Sequence, residues 1–363
     1  MKQILIRPPW KPWLKNRMFT GAKGCIYVRA FSLLRQHALE NGFQLDTWDM
    51  HPLSKADCIW MMDLPPRRKI YQNSRIEAQG GIPFVLQTLE SPLLGPQNFI
   101  EYNRKHFDVV VSFETNFADS ENYFSYHLPN TLTIISDSLL YSERKCAVML
   151  NSNRVEGYLA MRQLGAEGLP GIGRFFNGWK LPVSKLVSTT QNELYTWRRM
   201  LGKTADKLGG DILEIYGYGW AGQQISWFPG YHNPIYHCAN KRKIITSEKQ
   251  QLFSNYRFGI ATENYFGELG YISEKIFDAL MAGTVPVYLG EKNITKYVPS
   301  ECFVNASQFG SHQDLLCYLR DCPEYEWMQM RDAGQNYLNS KDMQPFTDEY
   351  YANQMVSFFK HIL

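Results

Sequence analysis

The chain has 363 residues, 44% hydrophobic and 20% charged; this is globular and too long for one ordinary core, so two domains are expected. A net charge of only +3 argues against broad nucleic-acid binding, which needs a concentrated basic surface. The seven cysteines include no CxxC pair, which argues against a metal cluster and suggests reduced thiols in a cytoplasmic protein.

The elements follow in order. Residues 2–6 read as a strand ending at Arg7-Pro8-Pro9. Residues 11–24 are basic, with Trp10, Trp13 and Phe19 interleaved; a surface loop with anchored aromatics is preferred over a groove for an anionic partner. Residues 27–41 read as a helix before Gly42, and 43–48 and 58–62 as strands. Residues 83–89, PFVLQTL, form a strand ending at Glu90-Ser91-Pro92. A carboxylate there sits where α/β sheets present reactive groups, although a solvated turn residue is the simpler assignment. Residues 96–106 read as a helix, 107–112 as a strand, and 113–129 as loop. Residues 147–150 form a strand ending in Asn151-Ser152-Asn153. Residues 157–190 are a glycine-containing insertion without the full GxGxxG spacing. Residues 191–208 read as a helix, 212–215 as a strand ending at Tyr216-Gly217, 228–236 as a turn-rich loop, and 247–255 as a short helix. Alternation of strands and helices implies two Rossmann-like α/β units with a boundary near Cys146.

Residues 257–290 are the centre of the chain: RFGIATENYFGELGYISEKIFDALMAGTVPVYLG. They read as strand, loop, helix, strand. Ser273 is a good N-cap and Gly283 a left-handed stop. Pro286 requires its strand to lie near a sheet edge. Lys275 falls in the first turn of the helix, where a cation is unfavourable by roughly 0.3–1 kcal/mol. Glu274 offsets part of this, and a bound anion would reverse the sign. Beyond Gly290, helical segments at 294–298, 313–321, 324–340 and 346–363 surround one strand at 302–305.

No P-loop, HExxH, GxSxG or Asp-x-Asp occurs. A diphosphate bound without the last must be neutralised by Arg, Lys and helix N-termini. The MKQILIRPPWKPWLKNR start lacks the apolar core of a signal peptide. No stretch reaches the roughly 18 apolar residues of a membrane span, although peripheral membrane association stays open.

The F-x-x-x-x-E-N start (Phe258, Glu263, Asn264), Y-x-S-E-K middle (Tyr271 to Lys275) and G-x-V-P-V-x-x-G end (Gly283 to Gly290) resemble the donor-binding signature of the α1,3/α1,4-fucosyltransferase family. Leu89-Glu90-Ser91-Pro92 is similar to that family's short element carrying the proposed base. The resemblance implies a GT-B fold of two Rossmann-like domains facing across a cleft. An acceptor-binding domain of residues 1–146, with a helix from 343–363 returning to it, would face a donor domain of residues 147–342. It implies inverting transfer of fucose from GDP-fucose to a glycan hydroxyl, α1,3 or α1,4 on an N-acetyllactosamine-like unit, with a divalent metal at most stimulatory. Glu90 would be the base. Lys275 and Arg198 (or Arg199) would stabilise the departing GDP, and Glu274 would bind ribose or fucose hydroxyls. Tyr216, Gly217, Glu263, Asn264 and Tyr271 would position nucleotide and sugar, with Ser152 and Asn153 lining the nucleotide cleft. Tyr265, where the family often has serine or threonine, and the 157–190 insertion depart from the pattern. A GT-B enzyme using another nucleotide sugar, and a non-catalytic GDP-sugar or glycan binder, are the alternatives; binding alone would not require Glu90.

Overall fold

The computed structural model describes residues 1–78, 80–115, 121–135, 139–153, 191–209, 211–220, 237–240, 248–267 and 269–363. The 157–190 insertion and the 228–236 loop lie outside the described residues.

Among the described residues two parallel sheets form. The first contains β1 (Lys2–Arg7), β2 (Phe43–Thr47), β3 (Cys58–Met62), β4 (Phe84–Gln87), β5 (Val109–Ser112) and β6 (Tyr123–Ser125), in the order β2-β1-β3-β4-β5-β6. Side chains alternate between its two faces, and both faces are covered. Ile4, Ile6, Trp60, Met62 and Val85 pack with the Val28–Glu40 and Asp348–Ile362 helices, while Leu5, Ile59, Met61, Phe84 and Leu86 pack against Tyr71 of the Arg68–Glu77 helix. Thus the last described helix completes the core of the first sheet. β6 falls where the sequence reads as loop, since three half-buried edge residues give no periodic signal.

The second sheet contains β7 (Lys145–Leu150), β8 (Leu213–Tyr216), β9 (Tyr256–Gly267), β10 (Val285–Glu291) and β11 (Val304–Asn305), in the order β11-β10-β9-β7-β8. β9 is longer than expected and runs through Glu263 and Asn264. Gly283 ends the Glu274–Met281 helix with φ +66°. β11 pairs only with Val287 and Tyr288, so Pro286 has β9 alone as a neighbour and its missing N–H is tolerated.

Two helix expectations change. Residues 96–106 split at the extended Ile100 into a 3₁₀ turn, Pro96–Phe99, and a single helical turn, Glu101–Arg104. The buried Asn98 side chain is the cause, because it bonds Asp63 and the Leu64 N–H instead of facing water. The helix expected from 191 begins at Tyr195, since Glu193 forms a bridge to Tyr265 and its carboxylate accepts from the Tyr195 and Thr196 N–H groups.

The two sheets face each other through few, specific contacts. Leu269 and Tyr271 of the second unit pack into the first core, with Tyr271 5.1 Å from the Phe113 ring. Gly270, at φ +74°, lies so close to the Phe113 carbonyl oxygen that a Cβ would collide with it. Glu291 fixes this strap by accepting from the Leu269 and Gly270 N–H groups at 2.8 and 2.7 Å. On the opposite side, His127 lies against Phe346 (4.6 Å) and Tyr297 (5.5 Å).

Candidate active site

A cleft of about 350 Å³ opens between the sheets. The loops after parallel strands meet there, as open α/β sheets dictate. The first unit supplies Trp10 after β1, Tyr27 at the start of a helix, and Leu89 and Glu90 after β4. The second supplies Asn151 and Ser152 after β7, with Arg198, Asn264, Tyr271, Glu274 and Lys275. Seven residues expected at the site, widely separated in sequence, therefore share one cavity: Glu90, Ser152, Arg198, Asn264, Tyr271, Glu274 and Lys275.

Lys275 is not the misplaced surface cation that its position suggests. Its ammonium donates to Ser273 Oγ at 2.8 Å and to the fully buried Glu263 carboxylate at 3.2 Å, with Glu274 at 3.7 Å. Burial alone would lower its pKa, but Glu263 and Glu274 outweigh that and hold it above the ordinary lysine value. Burial would likewise raise the Glu274 carboxyl, but Lys275 and Lys249 hold it low. Both groups are therefore charged at neutral pH. Ser273 stands at the N-cap position without capping the helix. Its hydroxyl donates to Glu263 at 2.7 Å instead, and its backbone N–H does the same. Glu263 is thus set behind the cleft and fixes the groups that line it.

Arg198 is 1% exposed and held on two sides. Nε donates to Thr262 Oγ1 at 2.7 Å; Nη2 donates to the Thr262 and Glu263 carbonyls and to Asn264 Oδ1. It lies over the Tyr195 ring at 5.0 Å. Arg199 instead donates to Thr196 Oγ1 within its own helix, so Arg198 is the one presented to the cleft.

Glu90 lies three residues beyond the end of β4, in a turn held from beneath. The buried Asp63 carboxylate accepts from the Leu89 N–H at 2.9 Å and from Asn98 Nδ2 at 2.7 Å. Burial pushes Asp63 up to about 6, against the lowering pull of the Leu89 and Glu90 backbone, Arg7 and Asn98. Its backbone is left-handed, at φ +56°, a strained conformation of the kind that clusters at functional sites.

Asn153, Tyr216 and Gly217 are also set back from the cleft. Asn153 bonds the Tyr218 and Gly219 backbone. The Tyr216 hydroxyl joins Glu214, Tyr256 and Asn240. Gly217, at φ +126°, sits where a Cβ would overlap the Asn151 carbonyl oxygen. These residues shape the Asn151–Ser152 turn and leave the cleft wall to it. The sequence reading missed Asp63, Tyr195, Tyr27 and Asn151. A carboxylate after a wholly apolar strand, as Asp63 is after CIWMM, is the signal that could have found the first, since a buried charge needs partners.

Residues 233–330 match the family model described as glycosyltransferase family 10 (fucosyltransferase) C-term. The chain is 42% identical over 67 residues to an alpha-(1,4)-fucosyltransferase of Arabidopsis thaliana, covering 18% of this chain and 16% of that one. It is 29% identical over 119 residues to the alpha-(1,3)-fucosyltransferase FucT of Helicobacter pylori, covering 32% and 24%. The chain thus spans about a quarter or less of these curated relatives. In structure it resembles an alpha1,3-fucosyltransferase crystallised with GDP-fucose, at a TM-score of 0.51 and 15% identity over 99% of this chain and 90% of that one. The resemblance read from the sequence is borne out, and the fold is of the GT-B type.

Proposed function

With a family-10 fucosyltransferase segment as one wall of its cleft, we propose that this protein is an inverting fucosyltransferase that moves fucose from GDP-fucose to a hydroxyl of a glycan acceptor. The observation that carries the proposal is the shared cavity: a carboxylate from the first unit, Glu90, faces a cation-lined wall, Lys275 and Arg198, from the second. Glu90 takes the proton of the acceptor hydroxyl as general base. The acceptor oxygen forms its bond to the anomeric carbon from the face opposite GDP, and the bond to the phosphate oxygen breaks with its electron pair leaving on GDP. Lys275, the N-terminus of the Glu274–Met281 helix and Arg198 stabilise that charge. Glu274 binds ribose or fucose hydroxyls. Asn264 and Tyr271 position nucleotide and sugar, and Ser152 with Asn151 lines the nucleotide side. Asn151 Oδ1, buried and without a protein partner, is free to accept from a bound ligand.

This chemistry uses protein cations for the diphosphate, so transfer proceeds in EDTA and a divalent metal at most stimulates it. A cytoplasmic location belongs to the same proposal. The test is Glu90→Gln assayed with GDP-fucose and N-acetyllactosamine. Transfer is abolished while GDP affinity stays within about twofold of wild type; retained transfer would remove Glu90 from its role. Calorimetry with GDP-fucose, GDP-mannose and UDP-galactose checks the donor, and a preference for UDP-galactose would overturn it.

A further inference from the structure

The first unit's side of the cleft is aromatic and apolar, and one member stands out. Trp10 lines the cavity yet is 42% exposed. It does not anchor the 10–24 segment to the core. That is done by Trp13, 1% exposed, which stacks edge-on to Phe31 at 6.0 Å, and Phe31 in turn touches Tyr351. Trp13 meets Trp10 at 5.0 Å with the planes at 75°, so the Trp10 ring is braced from the protein side and open toward the cavity. Ile26, 49% exposed, lines the same cavity. Two large apolar side chains thus stay wetted in the cleft that holds Glu90. A rigid, half-open indole is suited to the C–H face of a sugar ring, because it offers a large contact area at little entropic cost.

The sheet order sets the distance. Trp10 follows β1 and Glu90 follows β4, with β3 between them. Two strand spacings are about 9–10 Å, which places Trp10 roughly one sugar residue beyond a hydroxyl held on Glu90. We infer that Trp10 is the platform of a second acceptor subsite: a pyranose ring adjoining the one that is fucosylated lays its apolar face on the indole, so a disaccharide or longer glycan binds where a monosaccharide does not reach. This rests on the assignment of Glu90 as the acceptor base.

The test is calorimetric binding to the GDP-loaded protein, which does not depend on turnover, with N-acetyllactosamine and N-acetylglucosamine as probes and W10A and W10F as variants. The disaccharide binds wild type more tightly than the monosaccharide. W10A removes that advantage, weakening disaccharide binding about tenfold, while monosaccharide and GDP affinities are unchanged; W10F keeps most of it. Disaccharide affinity unaffected by W10A, or an equal loss for both sugars, would overturn the subsite. Should wild type bind both sugars with this pattern yet fail to transfer fucose, the catalytic proposal falls and the subsite stands.

Discussion

At the residue scale, Glu90 depends on Asp63. Asp63→Ala leaves the Leu89 N–H and the buried Asn98 amide without their acceptor, at about 1–3 kcal/mol for each unsatisfied group. Turnover falls while GDP affinity holds, because nothing on the donor wall is touched; Asp63→Asn, which keeps an acceptor oxygen, restores most of the rate. A kcat and KM comparison with a parallel GDP titration measures the split. Lys275→Ala acts on the other wall and weakens GDP binding about ten- to a hundredfold, and unchanged affinity would refute its place at the leaving group. The motif residues were legible because type and spacing identify them. The supports were not, because a buried carboxylate and its amide partner 35 positions apart leave no local pattern.

At the element scale, the N-terminus of the Glu274–Met281 helix depends on β9. Glu263 is fully buried and accepts from Ser273 and Lys275. Glu263→Gln therefore strands the Lys275 ammonium, at about 3 kcal/mol. Lys275→Met in the same chain returns part of that loss, and a double-mutant cycle by urea denaturation reads the coupling. From the sequence, Lys275 looked compensated by its neighbour Glu274 alone. Helix arithmetic shows i to i+4 partners but not a strand residue beneath the helix end. The long periodic elements were legible for the converse reason. Those around Leu34, Trp327 and Ile276 show their own buried face, whereas the short β6 and the broken 96–106 segment take their form from tertiary partners.

At the scale of the whole molecule, the two units meet through His127 as well as the Glu291 strap. Burial lowers His127 from 6.5 to about 4, and its Nδ1 has no partner. The unfolded chain therefore takes up a proton between about pH 6.5 and 4 that the folded chain refuses. Stability is complete above 6.5 and falls as the pH drops through that window, by roughly 3 kcal/mol from this group. His127→Gln flattens the pH dependence by that amount, measured as the difference in urea-unfolding free energy from wild type at pH 7 and 4.5. A wild-type slope unchanged by the substitution would show that other groups carry it.

The return of the Asp348–Ile362 helix to the first sheet also orders events during synthesis. The six strands of that sheet leave the ribosome first, but Tyr351, Met355 and Phe359, which close one face of their core, follow only after the whole second sheet. The second unit can settle while the first waits with an apolar parallel sheet uncovered. Folding thus finishes at the end of the chain made earliest, and that half carries the aggregation risk of late, long-range pairing. Pulse-labelled nascent chains stalled before and after residue 348 would show the first unit becoming protease-resistant only in the longer one.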